Sequence, residues 1–285
     1  MSLIHARALA LVLAVTALAG CGASAATTSD EISITVTRDY GSDEVVALTR
    51  EPVPPAGGLA RILGRHPNPR GAQSLFVNGI LADGPASELT VHAGDRVWLD
   101  QHEAGVAREI PAVVGAFPEP FVRGFGGERL PVRVECDDPR AGACAAVAEK
   151  LVGLGVVAGR SVISRSAADE TLRILVAPWK RLRGREFEAD SVDAGPRSSG
   201  VYARFDASGE RLHVLDPSGR VARTLGAGTG LIAATRAAQR RPLWFVTGTD
   251  GAGVQAAARA FDESVLSDRF ALAISGDLPV AVPQP

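Results

Sequence analysis

The residues best suited to chemistry lie on one predicted strand, Arg96-Val97-Trp98-Leu99-Asp100-Gln101-His102. Side chains two positions apart on a β-strand point to the same face, about 7 Å from each other, so Trp98, Asp100 and His102 share a face. An indole, a carboxylate and an imidazole so arranged could contact one small molecule, and the imidazole could also bind a metal. We therefore predict an open ligand-binding face made of these three residues and Asn78, which lies at the preceding turn.

Three other roles are open for the same residues. Asp100 or Glu103 beside His102 could form the acid–base pair of a hydrolase, although the sequence places no nucleophile next to them. His92 could join Asp100 and His102 around a metal. Trp98 could instead pack beneath Phe117 and Phe121 and hold two domains together. Because G-x-S-x-G, H-E-x-x-H and zinc-type cysteine spacings are absent from the sequence, we assign no catalytic and no metal-binding residue and favour a non-enzymatic protein.

The elements around this face follow the order hairpin, helix, further strands. Alternating apolar residues predict strands at 32–36 and 45–48 and a strand pair within 74–102, and a helix is expected at 56–63. Asn78 and Gly79 both tolerate positive φ, which predicts a tight turn. This order predicts a β-grasp-like domain over residues 31–122.

Three motifs in this region carry a resemblance to a known family. They are Thr35-Val36-Thr37-Arg38-Asp39-Tyr40-Gly41, Val77-Asn78-Gly79 and Gly94-Asp95-Arg96-Val97-Trp98-Leu99-Asp100. Together they resemble a bacterial surface-domain family similar to the C-terminal domain of transcobalamin, over about a third of the chain. The resemblance implies a β-grasp fold in an exported, often lipid-anchored domain. It also implies a cobalamin-like ligand, because the best-known relative contacts cobalamin.

Residues 130–280 alternate predicted strands and helices, which is typical of a three-layer α/β domain with a largely parallel sheet and an inserted antiparallel hairpin. In residues 112–121, Pro118 and Pro120 predict a stiff connector packed on the first domain, and the glycines of 123–129 predict a flexible linker. The alternative for the connector is a buried loop with Phe117 and Phe121 as core anchors, which we favour over a binding loop. We expect strands at 132–136, 172–176, 201–205, 212–215, 221–225, 243–247 and 270–274, helices from Cys144, Gly230 and Ala252, and a tail at 281–285. The predicted fold class is thus α+β and α/β in two domains.

Two glycine-rich loops, 226–230 and 247–251, follow predicted strands. Ligands on parallel α/β sheets collect at such positions, where backbone N–H groups at a helix start could hold an anion. Tight turning, with Thr249 or Asp250 capping the next helix, is the more ordinary explanation. We therefore assign no ligand to either loop.

The first thirty residues predict export and lipid attachment. His5 and Arg7 precede an apolar stretch of secretory length, residues 8–19, and Leu18-Ala19-Gly20-Cys21 resembles the lipobox of bacterial lipoproteins. The resemblance implies removal of a signal peptide, residues 1–20, and a lipid on the Cys21 thiol, with 21–30 as a flexible tether. An ordinary secreted protein is the alternative.

Export leaves Cys136 and Cys144 as an even pair in a compartment that permits disulfides. Cys136 ends an apolar strand, and no histidine lies near enough in sequence to complete a zinc site. Cys144 begins a predicted helix whose apolar stripe includes Val147, Ala148, Leu151 and Val152. A disulfide between strand and helix is therefore expected.

The chain has 285 residues and a formal net charge of −2 at pH 7, which gives no electrostatic argument for a nucleic-acid partner. We predict a lipoprotein on the extracytoplasmic side of the cell membrane that binds a small molecule or serves as an accessory module, with a membrane transporter as a candidate partner. A cell-wall-directed hydrolase and a structural subunit of a membrane complex are the alternatives.

The anchor can be tested by Cys21→Ser. Without the thiol that receives the lipid, the precursor should stay unprocessed and unlipidated, which mass spectrometry of the membrane-associated protein measures. Release of the wild-type protein into the medium without detergent would contradict the prediction.

Overall fold

The computed structural model describes residues 30–66, 72–164, 170–238 and 240–284. The predicted signal peptide, Cys21 and all but the last residue of the tether lie outside these ranges. The described residues form three β-sheets and seven helices, a mixed α/β architecture in which strands predominate. Within the same ranges, no helix combines the length and the apolar character needed to cross a membrane.

The first sheet contains five strands and carries one helix. The elements are β1 (Glu31–Arg38), β2 (Asp43–Pro52), α1 (Gly58–Leu63), β3 (Ala72–Val77), β4 (Ile80–Leu81) and β5 (Arg96–His102). The spatial order is β2-β1-β5-β3-β4, with β1 and β5 parallel and the other neighbours antiparallel. Asn78 and Gly79 form the turn between β3 and β4 with φ of 53° and 76°, so the positive-φ turn is present where the sequence predicts it.

Both faces of this sheet are covered where β5 crosses it. On one face, Ile34 of β1 and Val97 of β5 are buried with Leu59 of α1 in a single apolar cluster. Alternation along the strand directs Trp98 to the opposite face, where it is buried in a second cluster together with residues from the end of the chain. The sheet therefore joins the rest of the molecule through the face that carries Trp98.

The second half of the chain builds a seven-stranded and a three-stranded sheet. Its elements are β6 (Val132–Cys136), α2 (Gly142–Gly153), β7 (Ala158–Val162), β8 (Leu172–Pro178), α3 (Trp179–Leu182), α4 (Phe187–Asp193), α5 (Pro196–Ser199), β9 (Ala203–Phe205), β10 (Leu212–Leu215), β11 (Val221–Leu225), β12 (Thr229–Thr235), β13 (Leu243–Gly248), α6 (Gly251–Arg259), α7 (Glu263–Leu266), β14 (Ala271–Ser275) and β15 (Leu278–Val282). The larger sheet has the order β15-β14-β12-β13-β8-β6-β7 and the smaller one β11-β10-β9.

The seven-stranded sheet is the middle layer of this half. On one face, Val147 of α2 and Val254 of α6 are buried with inward residues of β6, β8, β12, β13 and β14. On the other face, Trp179 of α3, the three-stranded sheet and part of the first sheet complete a second cluster. Each strand in the middle is consequently buried on both sides.

Two expectations are wrong: the helix from Gly230 and the largely parallel sheet. The run expected to form a helix from Gly230 is the strand Thr229–Thr235, which is buried at every position. A short apolar run buried on both faces has no period that separates strand from helix, so its neighbours β13 and β14 decide the outcome. The sheet is thus parallel over β7, β6, β8 and β13 and antiparallel beyond. The expected hairpin, β9–β10, is present but belongs to the separate three-stranded sheet. The predicted tail begins inside β15.

A disulfide joins Cys136 at the end of β6 to Cys144 in the first turn of α2, with the two Cα atoms 6.1 Å apart. Cys144, Val147 and Leu151 of the predicted stripe are fully buried, whereas Val152 is largely exposed. The bridge therefore fixes the start of α2 against the sheet on its buried side.

The connector is anchored to both halves of the molecule. Ala112, at the start of the connector, forms a β-bridge with Ile80 of the first sheet. The rings of Phe117 and Phe121 pack on the second half of the chain. The ring centre of Phe117 lies 4.6 Å from that of Phe261, and Phe121 lies 4.9 Å from Trp244. The expectation that the connector packs on the first domain is correct only for its beginning, and residues 125 and 128 of the expected flexible linker pair in a hydrogen-bonded turn.

Glu119 lies between these rings in sequence and is only 3% exposed. Its Oε2 accepts a hydrogen bond from the backbone N–H of Arg123 at 2.7 Å. Burial, partly offset by that hydrogen bond and by the charges of Arg96 and Arg123, raises the pKa of Glu119 from 4.5 to about 7. The folded protein therefore holds this proton more tightly than the unfolded chain does.

Glu119→Gln should remove a pH dependence of stability. As the pH rises from about 4.5 to 7, the unfolded chain loses the Glu119 proton first, so the free energy of unfolding of the wild type falls, by on the order of 3 kcal/mol in total. Glutamine keeps an acceptor for the Arg123 N–H and does not ionise, so the variant should be the more stable protein above pH 7. Urea unfolding at about pH 5 and pH 8 measures the difference, with exposed Glu88→Gln as control. Equal pH slopes for wild type and Glu119→Gln would contradict the prediction.

Candidate functional site

A cleft of about 570 Å³ opens where the first sheet meets the second half of the chain. Four segments line it. They are the β1–β2 turn with Asp39, Tyr40 and Ser42, the loop 103–106 after β5, the β10–β11 turn with Pro217 and Ser218, and the C-terminal segment with Ala281, Pro283 and Gln284. Volumes of this size are typical of small-molecule sites.

The β1–β2 turn at the cleft has an unusual backbone. Asp39, Tyr40 and Gly41 follow one another with φ of 53°, 59° and 78°. Left-handed backbone costs an L-residue about 1–2 kcal/mol, and a bulky aromatic residue rarely adopts it. Gly41 cannot be replaced without rearrangement, because a Cβ there would lie 1.9 Å from the carbonyl oxygen of Asp268. Strain of this kind persists only where the surroundings hold it in place.

The buried carboxylate of Asp100 holds the turn. The backbone N–H groups of Tyr40 and Gly41 donate to its two oxygens at 3.2 and 2.8 Å. The hydroxyl of Thr37 donates to it at 2.5 Å, and Nδ1 of His102 lies 2.7 Å from it. An ionised carboxylate is an acceptor only, so His102 donates through Nδ1. Four donors on one carboxylate satisfy a charge that burial would otherwise destabilise.

The network continues to Trp98, whose Nε1 donates to Oγ1 of Thr37 at 2.8 Å. The Trp98 ring packs against Phe76 and Phe270, with ring centres 5.5 and 5.1 Å away. Gly115 of the connector also faces the indole so closely that a Cβ would come within 2.7 Å. Trp98 therefore joins the first sheet to the second half of the chain. Its ring partners are Phe76 and Phe270 and not the phenylalanine pair considered in the sequence, because Phe117 and Phe121 pack on Phe261 and Trp244.

The expectation of an open face on β5 is wrong. Trp98, Asp100 and His102 are 3%, 0% and 6% exposed. The His102 ring lies under Tyr40, with ring centres 4.3 Å apart, and edge-on to Phe270. The strand alternation is as predicted, but Phe270, far away in sequence, covers the face that the pattern leaves open. These residues support the wall of the cleft from behind.

Asn78 is also a supporting residue. Its amide nitrogen donates to Asp95 at 2.8 Å and to the carbonyl of Gly124 at 3.0 Å, and its oxygen accepts from the backbone N–H of Arg96 at 2.9 Å. These bonds engage both ends of the amide within the protein, so Asn78 fixes the turn before β5 rather than facing the cleft.

His92, the third residue considered as a metal ligand, does not join Asp100 and His102. It contacts Asp95, with Nδ1 3.7 Å from the carboxylate. Over the described ranges, no three side chains of His, Cys, Asp or Glu converge as a metal site would require. The set His92, Asp100 and His102 is therefore not brought together.

Tyr40 connects the cleft wall to the loop after β5. Its hydroxyl donates to the carbonyl oxygen of Glu103 at 3.2 Å. Burial, followed by the hydrogen bond and charge of Tyr202, raises the pKa of Tyr40 far above its ordinary value, so the ring remains a neutral phenol. Gly105 lies directly against both hydroxyls, since a Cβ there would come within 2.6 Å of Tyr40 and 2.2 Å of Tyr202.

The two glycine-rich loops use their backbone donors internally. Asp250 caps α6 by accepting from the N–H of Gly253 at 2.9 Å and also accepts from the N–H of Gly228 at 2.8 Å. Thr249 accepts from the N–H of Thr229 at 3.1 Å. The capping explanation with Asp250 is confirmed, and residues 226–230 connect two strands instead of a strand and a helix.

Sequence reasoning missed Tyr40, Ser218 and the C-terminal wall of the cleft. The only local signal was Tyr40 directly before Gly41 in a hairpin turn. The other walls come from segments more than a hundred residues away, which no spacing rule connects to β5.

Comparison with known proteins adds no family. No protein-family model matches the chain, and no curated protein is significantly similar to it. The transcobalamin-like resemblance of residues 31–122 accordingly stays a prediction from its three motifs.

Asp100→Asn should destabilise the protein by about 2–4 kcal/mol. Asparagine offers one acceptor oxygen and an amide donor, so at least one of the four donors at this buried position loses its partner and faces another donor. Urea unfolding measures the loss. Asp43→Asn is the matched control on β2 of the same sheet, because its carboxylate is exposed and its ion pair with Arg38 is long, at 3.9 Å. Equal stabilities of the two variants would contradict the role given to Asp100.

Proposed function

We propose that this protein is a lipid-anchored, extracytoplasmic module that binds a small molecule in the cleft between the first sheet and the second half of the chain. The observation that carries the proposal is the wall residue Tyr40, held in a strained conformation by a buried carboxylate at the edge of a cavity of ligand size. Observed strain at a concave site is a reason to infer function there, because the fold has to maintain it at a cost in stability.

We further propose that residues 31–122 are a β-grasp-like domain and residues 130–280 a three-layer α/β domain. The strand order β2-β1-β5-β3-β4, with β1 parallel to β5 and α1 on one face, supports the first assignment. The sheet covered by α2 and α6 on one side and by α3, α4 and a small sheet on the other supports the second. The cleft would then lie at a domain junction, a common position for ligand sites.

The proposed location rests on the lipobox-like residues and on the disulfide. Disulfides persist in exported proteins and are rare in reducing compartments, so the Cys136–Cys144 bridge is consistent with an extracytoplasmic chain. A binding module held at the membrane surface by a lipid would present its ligand to a membrane protein. A transporter is the partner we propose.

The cleft favours a ligand smaller than a corrinoid. A cavity of about 570 Å³ cannot enclose a cobalamin, and His102, which would coordinate the metal, lies beneath Tyr40. Burial also argues against the hydrolase alternative. The Asp100–His102 pair is present, but the Tyr40 ring covers it. We therefore propose ligand binding without chemistry at this site.

Ser218→Trp should block the cleft without disturbing the core. Ser218 lies in an exposed turn, Asp216-Pro217-Ser218-Gly219, and its hydroxyl donates to Asp216 at 2.6 Å. The turn Asp206-Ala207-Ser208-Gly209 repeats the arrangement, with a 2.9 Å bond from Ser208 to Asp206, but does not line the cleft. Ser208→Trp is therefore a closely matched control.

Mass spectrometry of small molecules that co-purify with the mature protein in lipid nanodiscs measures the effect. Wild type and Ser208→Trp should carry the same compound, and Ser218→Trp should carry at least about tenfold less, with an unchanged melting temperature. A compound retained by Ser218→Trp, or no compound on the wild type, would count against the cleft. The second result would favour the structural-subunit alternative.

A further inference from the structure

The charged side chains that line the cleft, among the residues that the structure describes, are both acidic. Asp39 lies on the β1–β2 turn and Glu103 on the loop after β5, and both are exposed to solvent. The hydroxyl of Tyr40 donates to the backbone carbonyl of Glu103 at 3.2 Å, which ties this residue to the wall of the cleft. Over the described ranges no lysine or arginine lines the cleft or forms an ion pair with Glu103.

The rest of the lining is apolar or neutral. Val106, Pro217, Ala281 and Pro283 provide apolar walls from three separate segments. Tyr40 contributes a neutral aromatic ring, and rings of this kind attract cations through their π-electrons. Burial and Tyr202 raise the pKa of Tyr40, and the nearby charges of Asp100 and Glu103 raise this pKa further. An anionic ligand would enter against like charge, whereas a cation would be attracted.

We propose that the cleft selects a small organic cation with an apolar body, such as an amine or a quaternary ammonium compound. This inference rests on the proposed function, because it assigns a ligand class to the same cleft. The apolar walls receive the body of the ligand, and the carboxylate of Glu103 receives its charge at the rim.

Three probes of similar shape separate charge from size: 2-phenylethylammonium, 2-phenylethanol and phenylacetate. Titration calorimetry on the mature full-length protein in nanodiscs should show the highest affinity for the cation, a lower one for the neutral probe and the lowest for the anion. The cation should bind at least about tenfold more tightly than the neutral probe. Raising the salt concentration from about 0.05 M to 0.5 M should lower the affinity for the cation and leave the affinity for the neutral probe unchanged.

Glu103→Gln should reduce the preference for the cation over the neutral probe by about three- to tenfold. Glu109→Gln, a matched change on the same loop at an exposed glutamate outside the cleft, should not alter it. Glu103→Lys should reverse the preference, so that the anion binds more tightly than the cation. Each of these side chains is at the surface, so folding is preserved, and the melting temperature checks that it is.

Different results would overturn the ligand-class inference and the proposed function. Equal binding of the three probes, or a stronger neutral or anionic probe, would overturn the cation inference while the cleft remained a binding site. Binding of no probe, with a co-purifying compound that Ser218→Trp removes, would likewise overturn the inference alone. A wild type that binds no probe and carries no compound would overturn both.

Discussion

The buried carboxylate of Asp100 is the group on which the geometry of this site depends. Parallel pairing of β1 with β5 places Thr37 directly opposite Asp100, so the strand register itself delivers the first donor. The turn after β1 delivers two backbone donors, and His102 delivers a fourth from the same strand. A buried charge is tolerated only when such partners are complete, so register, turn and imidazole orientation are fixed together.

The second constraint is the shared aromatic core between the first sheet and the end of the chain. Phe270, which lies immediately before β14, contacts Phe76, Trp98, Tyr40 and His102. Burial of these rings stabilises the junction through their large apolar area. The same packing excludes solvent from Asp100 and leaves Tyr40 at the edge, half-buried. The cleft therefore lies at the edge of this aromatic core.

Local rules account for the features that depend on neighbours in sequence. The positive-φ turn at Asn78 and Gly79, the alternation along β5, the buried stripe of α2 and the cap at Asp250 were all predictable, because each depends on residues no more than a few positions apart. The membrane anchor and the cation preference stay proposals, the first from a motif and the second from charges that only the cleft brings together.

The sequence by itself determined which residues of β5 share a face, where most strands lie and which cysteines could pair. Only the tertiary structure decided that the face of Trp98 is buried, that Thr229–Thr235 is a strand, and that Tyr40 and Ser218 line one cavity. The reason is physical. Period and turn chemistry act over a few residues, whereas solvent exclusion depends on segments that meet after more than a hundred residues of intervening chain, and no local pattern records that meeting.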